Sequence, residues 1–231
     1  MKVTLTRITE NPILAIEEAA SNCYDSEPSS EGKIMDACIK SGHTSVTEFC
    51  TYTFHIEGVS RTLLAQLTRH RHAGYAVRSQ RYCSEDNAGF IVPPSIYNNK
   101  EAWNTYGALM RGIKKVYQEL QDLGIPNEDA RYVLPNACET VIEVTMNHRA
   151  LMNFMNERLC SRAQWEIRNL ALQMKQCIKD VNPKLSESLV PKCEKYKNYP
   201  FCPEMKSCGR HRKLSEIYDN SKHEVCNNGL D

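Results

Sequence analysis

The sequence predicts an α/β fold in which a twisted, mainly antiparallel sheet is flanked by helices, with one long helical arm. Residues 2–8, 50–57 and 139–146 alternate polar and apolar side chains with the period of two that is typical of strands. Between and after them lie apolar repeats of helical period, and the longest covers 99–123. With 231 residues, 41% of them hydrophobic, the chain is long enough to build one domain with a sizeable core.

In the first half of the chain, capping residues help to place the helices. Asn11 and Ser60 are each expected to cap a helix with the side chain, and Pro12 suits the first helical turn. The patterns predict, in order, a strand at 2–8, a helix at 12–23, a helix ending at Gly42, a strand at 50–57 and a helix at 61–70.

The second half is predicted to be mostly helical around one strand. Its elements are an extended or looping segment at 72–83, the long helix 99–123, a short turn before Pro135, the strand 139–146, a helix at 148–160 capped by Asn147, and a helix at 163–180. The apolar residues of the long helix are expected to face inward, to the core or an oligomer interface: Trp103, Leu109, Ile113, Val116, Tyr117 and Leu120. We expect a catalytic domain at 1–190 and a cysteine-containing tail at 191–231.

Charge and composition narrow the class of protein. The net charge of +1 and the pI of about 7.5 argue against a large nucleic-acid footprint. No apolar run approaches the ~20 residues that span a bilayer, and residues 1–7 lack the apolar core of a secretory signal. The eleven cysteines are therefore expected to be reduced, and the location cytoplasmic.

Residues 69–81 concentrate positive charge that the rest of the chain does not share. Arg69, Arg71, Arg78 and Arg81 stand there without a lysine, and the planar guanidinium suits phosphate oxygens. Ser79 adds a neutral donor. A solvated basic face is the alternative, but the segment follows an apolar helical run and contains no lysine-rich tail. The composition favours a pocket for a small phosphate ester. Gln66, three residues before Arg69 on the same helix face, points to that pocket as well.

The arrangement Arg69-His70-Arg71, seven residues, then Ser79-Gln80-Arg81-Tyr82 resembles the signature of flavin-dependent thymidylate synthases. The resemblance extends from about residue 42 to 180. It includes Gly42-His43-Thr44-Ser45, Ala130-Arg131-Tyr132-Val133-Leu134-Pro135, the residues Asn147, Arg149, Asn153 and Arg158 of one predicted helix, and Ala163-Gln164-Trp165-Glu166-Ile167-Arg168.

The resemblance implies FAD-dependent methylation of dUMP to dTMP, with methylenetetrahydrofolate as the carbon donor and NADPH as the reductant. It also implies a homotetramer whose active sites are built from several subunits. The implied catalytic residues are Arg158, beside the uracil ring, and His43; the FAD-binding residues are Ser45, Arg69, His70, Arg71, Asn147, Arg149 and Asn153; the dUMP-binding residues are Gln66, Arg69, Arg78, Ser79, Gln80, Arg81, Arg131 and Arg158.

The chemistry of the motifs agrees with a flavin-assisted route. No cysteine lies inside them, and Ser79 is surrounded by arginines that cannot accept its proton, so it is expected to bind the nucleotide and not to attack it. Two positions depart from the family pattern: Ala76-Val77 replaces Asn-Glu, and Arg162 stands where histidine is frequent. The alternatives are a flavin- and folate-dependent methyltransferase of uracil in RNA, and a non-catalytic nucleotide-binding module.

Two further expectations concern buried charge and metal. Arg158 extends the apolar stripe of its helix, so it is expected to have an anionic partner in the fold. In the tail, Cys193, Cys202, Cys208 and His211 have the chemistry of zinc ligands, but their spacing is not of the paired CxxC kind. Reduced thiols without a metal are the default expectation there.

Overall fold

A computed structural model describes residues 1–196 and 198–217, and its centre is a four-stranded antiparallel sheet. The strands are β1 (Lys2–Ile8), β2 (Thr51–Ser60), β3 (Gly74–Val77) and β4 (Glu139–Asn147), in the spatial order β1-β2-β4-β3. The predicted α/β class is confirmed. The strand that sequence patterns did not single out is the short β3, which pairs along the edge of β4.

Helices surround this sheet and follow the predicted order closely. Their bounds are α1 Pro12–Tyr24, α2 Lys33–Lys40, α3 Arg61–Leu67, α4 Pro94–Tyr97, α5 Lys100–Asp122, α6 Asn127–Ala130, α7 His148–Arg158, α8 Trp165–Val181, α9 Pro183–Ser186 and α10 Leu214–Ile217. Short 3-10 turns lie at Thr44–Phe49, Arg131–Val133 and Lys192–Glu194. In the part of the chain that the structure describes, no helix is both long and apolar enough to cross a bilayer.

Two of the three predicted helix caps are present. Ser60 Oγ accepts from the backbone N–H of Leu63 at 3.0 Å, and Asn147 Oδ1 accepts from that of Ala150 at 2.8 Å. The prediction for Asn11 is wrong. Its backbone is left-handed, with φ 45° and ψ 57°, whereas a capping side chain needs an extended backbone to reach back over the first turn.

The core lies where β2 and β4 cross the long helices. Tyr52, Phe54 and Ile56 of β2 are buried, and so are their partners on β4. Against this face pack buried side chains of α7 and α8, among them Leu151, Phe154, Met155, Ile167, Leu170 and Met174. On the opposite face of the sheet the side chains are polar, for example Thr53 and Thr145, whose hydroxyls are 2.8 Å apart. The alternation that the sequence showed in β2 is therefore confirmed.

The long helix α5 covers the segment that follows β3, and only part of its apolar face is buried. Tyr117 is 1% exposed, but Leu109 is 59% exposed, and Trp103 and Val116 are 43% exposed. The expectation that all these side chains face inward is wrong for a single chain, because the sheet does not extend beneath α5. The sequence pattern also allowed these side chains to face an oligomer interface, and their exposure favours that alternative.

Candidate active site

The basic segment is held at the edge of the sheet by β3. Gly74 lies opposite Thr145 and Val77 opposite Ile142, so the segment before β3 is close to the end of β4 that leads into α7. The Tyr75 hydroxyl lies 2.9 Å from the backbone oxygen of Leu67 and 2.7 Å from that of His70. This contact ends α3 at Leu67, earlier than expected, and folds residues 68–73 into a compact turn.

Arg78 lies at the other end of β3, against a buried carboxylate. Its Nε donates to Glu85 Oε2 at 3.3 Å and its Nη2 to the backbone oxygen of Ser84 at 2.9 Å. Glu85 is 4% exposed, and burial raises the pKa of its carboxyl, although the charge of Arg78 opposes that rise. Tyr117 of α5 anchors the same loop, because its hydroxyl accepts from the backbone N–H of Glu85 at 3.3 Å. The orientation of Arg78 is therefore set by tertiary contacts.

Arg81 and Arg131 meet at one acidic residue although fifty residues separate them in the chain. Arg81 Nε donates to Glu128 Oε2 at 2.5 Å, and Arg131 Nε donates to the backbone oxygen of Glu128 at 3.0 Å. A spacing of three residues on a helix would suit an ion pair between the side chains of Glu128 and Arg131. The carboxylate pairs with Arg81 instead, so Glu128 joins two of the predicted dUMP-binding residues.

Arg61 completes what we call the arginine cluster: Arg61, Arg78, Arg81 and Arg131. Its Nη2 donates to the backbone oxygen of Arg78 at 2.9 Å, and its Nε is buried without a hydrogen-bond partner among the described residues. Burial lowers the pKa of Arg61, opposed by the charge of Glu85 and reinforced by that of Arg131. Sequence reasoning missed both Arg61 and Glu85, because neither lies in a recognisable motif.

Ser79 and Gln80 lie between Arg78 and Arg81 in the chain, and each side chain makes a hydrogen bond within the protein. Ser79 Oγ accepts from the backbone N–H of Arg81 at 3.3 Å, which shapes the turn. The Gln80 amide donates to the buried thiol of Cys138 at 3.6 Å. For both residues a role in binding dUMP stays a prediction.

A second set of predicted residues gathers around α7. We call it the α7 group: His43, Ser45, Arg69, His70, Arg71, Asn147, Arg149, Asn153 and Arg158. Arg149 Nη1 donates to Glu48 Oε1 at 2.6 Å, which fixes the 3-10 turn that carries Ser45 against α7. The ring of His70 packs edge-on against Phe154, with centroids 5.6 Å apart. Three segments distant in sequence therefore meet on one helix.

His70 is half-buried between residues 68–73 and α7. Burial lowers the pKa of its imidazole; a backbone hydrogen bond with Ala150 opposes this, and the charges of His72 and Arg158 reinforce it. Its Nε2 is buried and has no hydrogen-bond partner in the described part of the chain. An imidazole with one unsatisfied buried nitrogen is suited to hydrogen-bonding a ligand that enters between residues 68–73 and α7.

Arg158 lies at the last residue of α7 and is half-buried. Within residues 1–196 and 198–217, no carboxylate forms an ion pair with Arg158, Arg69 or Arg71. The expected anionic partner inside the protomer is therefore absent from the described chain. The helix C-terminus favours a cation there, and partial exposure removes most of the cost of burial. These guanidinium groups are available to an external anion.

His148, the first residue of α7, is fully buried and acts as a structural residue. Its Nδ1 lies 2.7 Å from the Tyr52 hydroxyl and its Nε2 lies 2.7 Å from Ser188 Oγ. Ser188 Oγ itself donates to the backbone oxygen of Leu185 at 2.9 Å, so it accepts from the imidazole N–H. Burial lowers the pKa of His148 to about 4. The neutral ring therefore joins β2, α7 and the segment after α9.

The arginine cluster and the α7 group lie at opposite ends of β3, a strand that is four residues or about 13 Å long. Arg78 and Arg131 converge within one chain through the cluster, whereas Arg158 belongs to the other end. The two departures from the family pattern also have defined places. Ala76 faces Glu143 across the strand pair, and that carboxylate is bonded to His55 at 2.6 Å. Arg162 is exposed and donates to the backbone oxygen of Lys206 at 3.4 Å.

Comparison with known proteins decides between the readings of this site. Residues 4–184 match the family described as thymidylate synthase complementing protein. A flavin-dependent thymidylate synthase of Clostridium tetani is 38% identical, over 94% of this chain and 97% of its own length. The chain belongs to the flavin-dependent thymidylate synthase family. The synthase of Geobacter sulfurreducens is also 38% identical, over 94% of this chain and 98% of its own length.

Among solved structures, the flavin-dependent thymidylate synthase of Helicobacter pylori in complex with FAD and dUMP is similar. Its TM-score is 0.69 and its sequence is 25% identical, and the match covers 82% of this chain and 100% of that one. The arginine cluster and the α7 group both lie in the part of the chain that matches the flavin-dependent thymidylate synthase family.

Proposed function

We propose that the protein catalyses the FAD-dependent reductive methylation of dUMP to dTMP, with methylenetetrahydrofolate as the carbon donor and NADPH as the reductant. Family membership supports the reaction, and the Helicobacter pylori relative binds both FAD and dUMP. The observation in this chain that carries the proposal is the meeting of Arg78, Arg81 and Arg131 around two carboxylates.

The arginine cluster fits the phosphate of dUMP. Arg78 pairs with Glu85 and Arg81 with Glu128, whereas Arg61 and Arg131 donate to backbone oxygens, so the cluster retains an excess of positive charge and unused N–H donors. A phosphate accepts paired hydrogen bonds from such forks. We assign Arg78, Arg81 and Arg131 to the phosphate, with Ser79, Gln80 and Gln66 as neutral contacts to the nucleotide.

The α7 group fits FAD by the chemistry of its donors. Arg69, Arg71 and Arg149 supply cations for a pyrophosphate, Ser45, Asn147 and Asn153 supply neutral polar groups, and His70 has an unsatisfied buried nitrogen. His43 completes this set next to Ser45. When bound, the flavin supplies the reducing equivalents of the reaction. The protein's part is to hold the cofactor in place.

Arg158 is assigned to the uracil ring. A guanidinium beside the imide favours its ionised form, and the negative charge makes carbon 5 a better nucleophile. Because Arg158 and the arginine cluster lie toward opposite ends of β3, we propose that one site combines the cluster of one protomer with the α7 group of a neighbour. A homotetramer, associated through the exposed apolar face of α5, would bring them together. A cytoplasmic location belongs to the same proposal, because nucleotides, folate and NADPH are available there.

Two measurements test the function. Purified protein should show flavin absorbance bands. It should also release tritium from dUMP labelled at carbon 5 when methylenetetrahydrofolate and NADPH are present. RNA labelled at the same position of uracil is the matched control. Release from RNA with none from dUMP would favour the RNA methyltransferase, and a colourless protein that binds dUMP without turnover would favour a binding module.

Ser79→Ala tests the role of the serine. We expect weaker dUMP binding, measured by calorimetry, with turnover still measurable, because the hydroxyl only contributes a contact. Since Ser79 has no base beside it, complete loss of turnover at unchanged dUMP affinity would contradict this assignment.

Arg158→Ala tests the role of the guanidinium at the uracil ring. We expect kcat to fall by about tenfold or more at saturating dUMP, because a charge that stabilises the ionised imide is lost. Arg158→Lys, which keeps the charge, should recover part of the rate. An unchanged kcat in Arg158→Ala would remove the proposed role.

A further inference from the structure

The described part of the C-terminal tail folds back against the turn between α7 and α8. Lys192 Nζ pairs with Glu157 of α7 at 3.2 Å. Within the tail, the backbone N–H of Cys202 donates to the backbone oxygen of Arg212 at 2.8 Å, and Cys202 forms an isolated bridge with Lys213. Lys192 also pairs with Glu204, and Arg210 pairs with Glu194, so the loop 202–213 lies beside residues 192–194. The tail thus has a local fold, although it contributes little to the hydrophobic core.

Cysteines from both sides of this contact line one cavity. Cys160 comes from the α7–α8 turn, Cys193 from the start of the tail, and Cys202 and Cys208 from the loop, with His211 at the same cavity. Ser161, next to Cys160, lines the same cavity as Cys208. The four thiols are free, and four thiols with an imidazole are an uncommon lining for a protein cavity.

Three possible metal-ligand atoms at this cavity are already close together. One donor atom from each of Cys193, Glu194 and His211 lies within 4.8 Å of the others. In a tetrahedral zinc site with Zn–S distances near 2.3 Å, neighbouring ligand atoms are about 3.8 Å apart. Cys193 and His211 are therefore at most about 1 Å further apart than two ligands of one zinc ion, and zinc binding would draw in the other thiols of the same cavity by side-chain rotation.

Glu194 has another partner and suits a supporting role. Its Oε1 accepts from Arg210 Nε at 2.8 Å and lies 3.4 Å from His211 Nε2. A carboxylate that hydrogen-bonds a ligating histidine is the usual neighbour of a zinc site, because it fixes the tautomer and the orientation of the ring. The remaining ligands then come from the thiols, which select zinc over harder cations.

We propose that this cluster is a structural zinc site in which Cys193 and His211 bind the ion together with two of the three other thiols, Cys160, Cys202 and Cys208. Each ligating thiol gives up its proton when the ion binds. The ion links the tail to the turn that directly follows Arg158. It stabilises the fold of the tail, which has little hydrophobic core of its own. Most of the site lies after residue 184, where the match to the family ends.

The first test is the metal content of the full-length holoenzyme, purified without chelator. Inductively coupled plasma mass spectrometry should find about one zinc ion per chain. Cobalt offered in place of zinc should give a thiolate-to-metal charge-transfer band and strong tetrahedral bands on the red side of the flavin absorbance. Wild-type protein without zinc, and without these bands after exposure to cobalt, overturns the proposal. So does a metal-free protein whose tail cysteines are paired as disulfides in peptide maps.

Variants then identify the ligands. Cys193→Ser and His211→Ala should each reduce the zinc content from about one equivalent to below about a tenth. Among the variants Cys160→Ser, Cys202→Ser and Cys208→Ser, two should lose their zinc to the same extent, because two of these thiols are ligands. Cys23→Ser, at an exposed thiol on α1, is the matched control and should keep its zinc. Full zinc content in either Cys193→Ser or His211→Ala contradicts the assignment, and circular dichroism confirms that each variant is folded.

Discussion

The buried imidazole of His148 makes the stability of the protein depend on pH in a calculable way. Its pKa falls from an ordinary value of 6.5 to about 4 in the folded protein, because the ring is 0% exposed. The neutral ring also uses both nitrogens, toward Tyr52 and Ser188. Protonation would bury a charge that the described fold does not pair. Acid should therefore favour the unfolded chain, in which the imidazole is solvated.

The sign and the size follow from linkage. A depressed folded pKa means that the unfolded state binds the proton first, so stability is complete above pH 6.5 and is lost as the pH falls toward 4. The difference between the two pKa values corresponds to about 3 kcal/mol when fully expressed. About 2 kcal/mol of this should be lost between pH 7.5 and pH 5.

The assay is urea denaturation at fixed protein concentration at several pH values, for wild type and for His148→Gln. Glutamine does not take up a proton in this range, so the difference between the two pH profiles isolates His148 from the other titrating groups. We expect wild type to lose about 2 kcal/mol more than the variant between pH 7.5 and pH 5. Parallel profiles would refute the reasoning, whatever the stability of the variant at neutral pH.

Two further predictions concern the proposed nucleotide site and the assembly. Arg131→Lys should raise the Kd for dUMP by about tenfold, measured by calorimetry, because lysine keeps the charge but loses the planar fork. Arg111→Lys on the exposed face of α5 is the matched control. Equal effects of the two substitutions on the Kd would argue against a role of Arg131 in recognising dUMP. Leu109→Asp should shift the protein to smaller oligomers in analytical ultracentrifugation, because it places a charge on an apolar face that is 59% exposed in the single chain. Asn104→Asp, a change at another exposed residue of the same helix, should leave the assembly intact. An unchanged sedimentation coefficient for Leu109→Asp would remove α5 from the interface.

Local patterns were sufficient to predict most elements of the fold. The alternation in β2 and β4 and the helical repeats of α5, α7 and α8 depend on neighbours in sequence, as do the caps at Ser60 and Asn147. β3 escaped prediction because four residues carry too little periodicity, and it is defined by its pairing with β4. The domain boundary near residue 190 stays a prediction.

The sequence by itself determined the chemistry of this protein: the arginines, histidines and asparagines of the family motifs, and the order in which they occur. Only the tertiary structure decided which of them meet. Arg81 and Arg131 are joined by Glu128, Arg78 is oriented by the buried Glu85, and Arg158 lies beyond the other end of β3. Contacts between residues distant in sequence depend on how elements pack, and the spacing of motifs does not encode that packing.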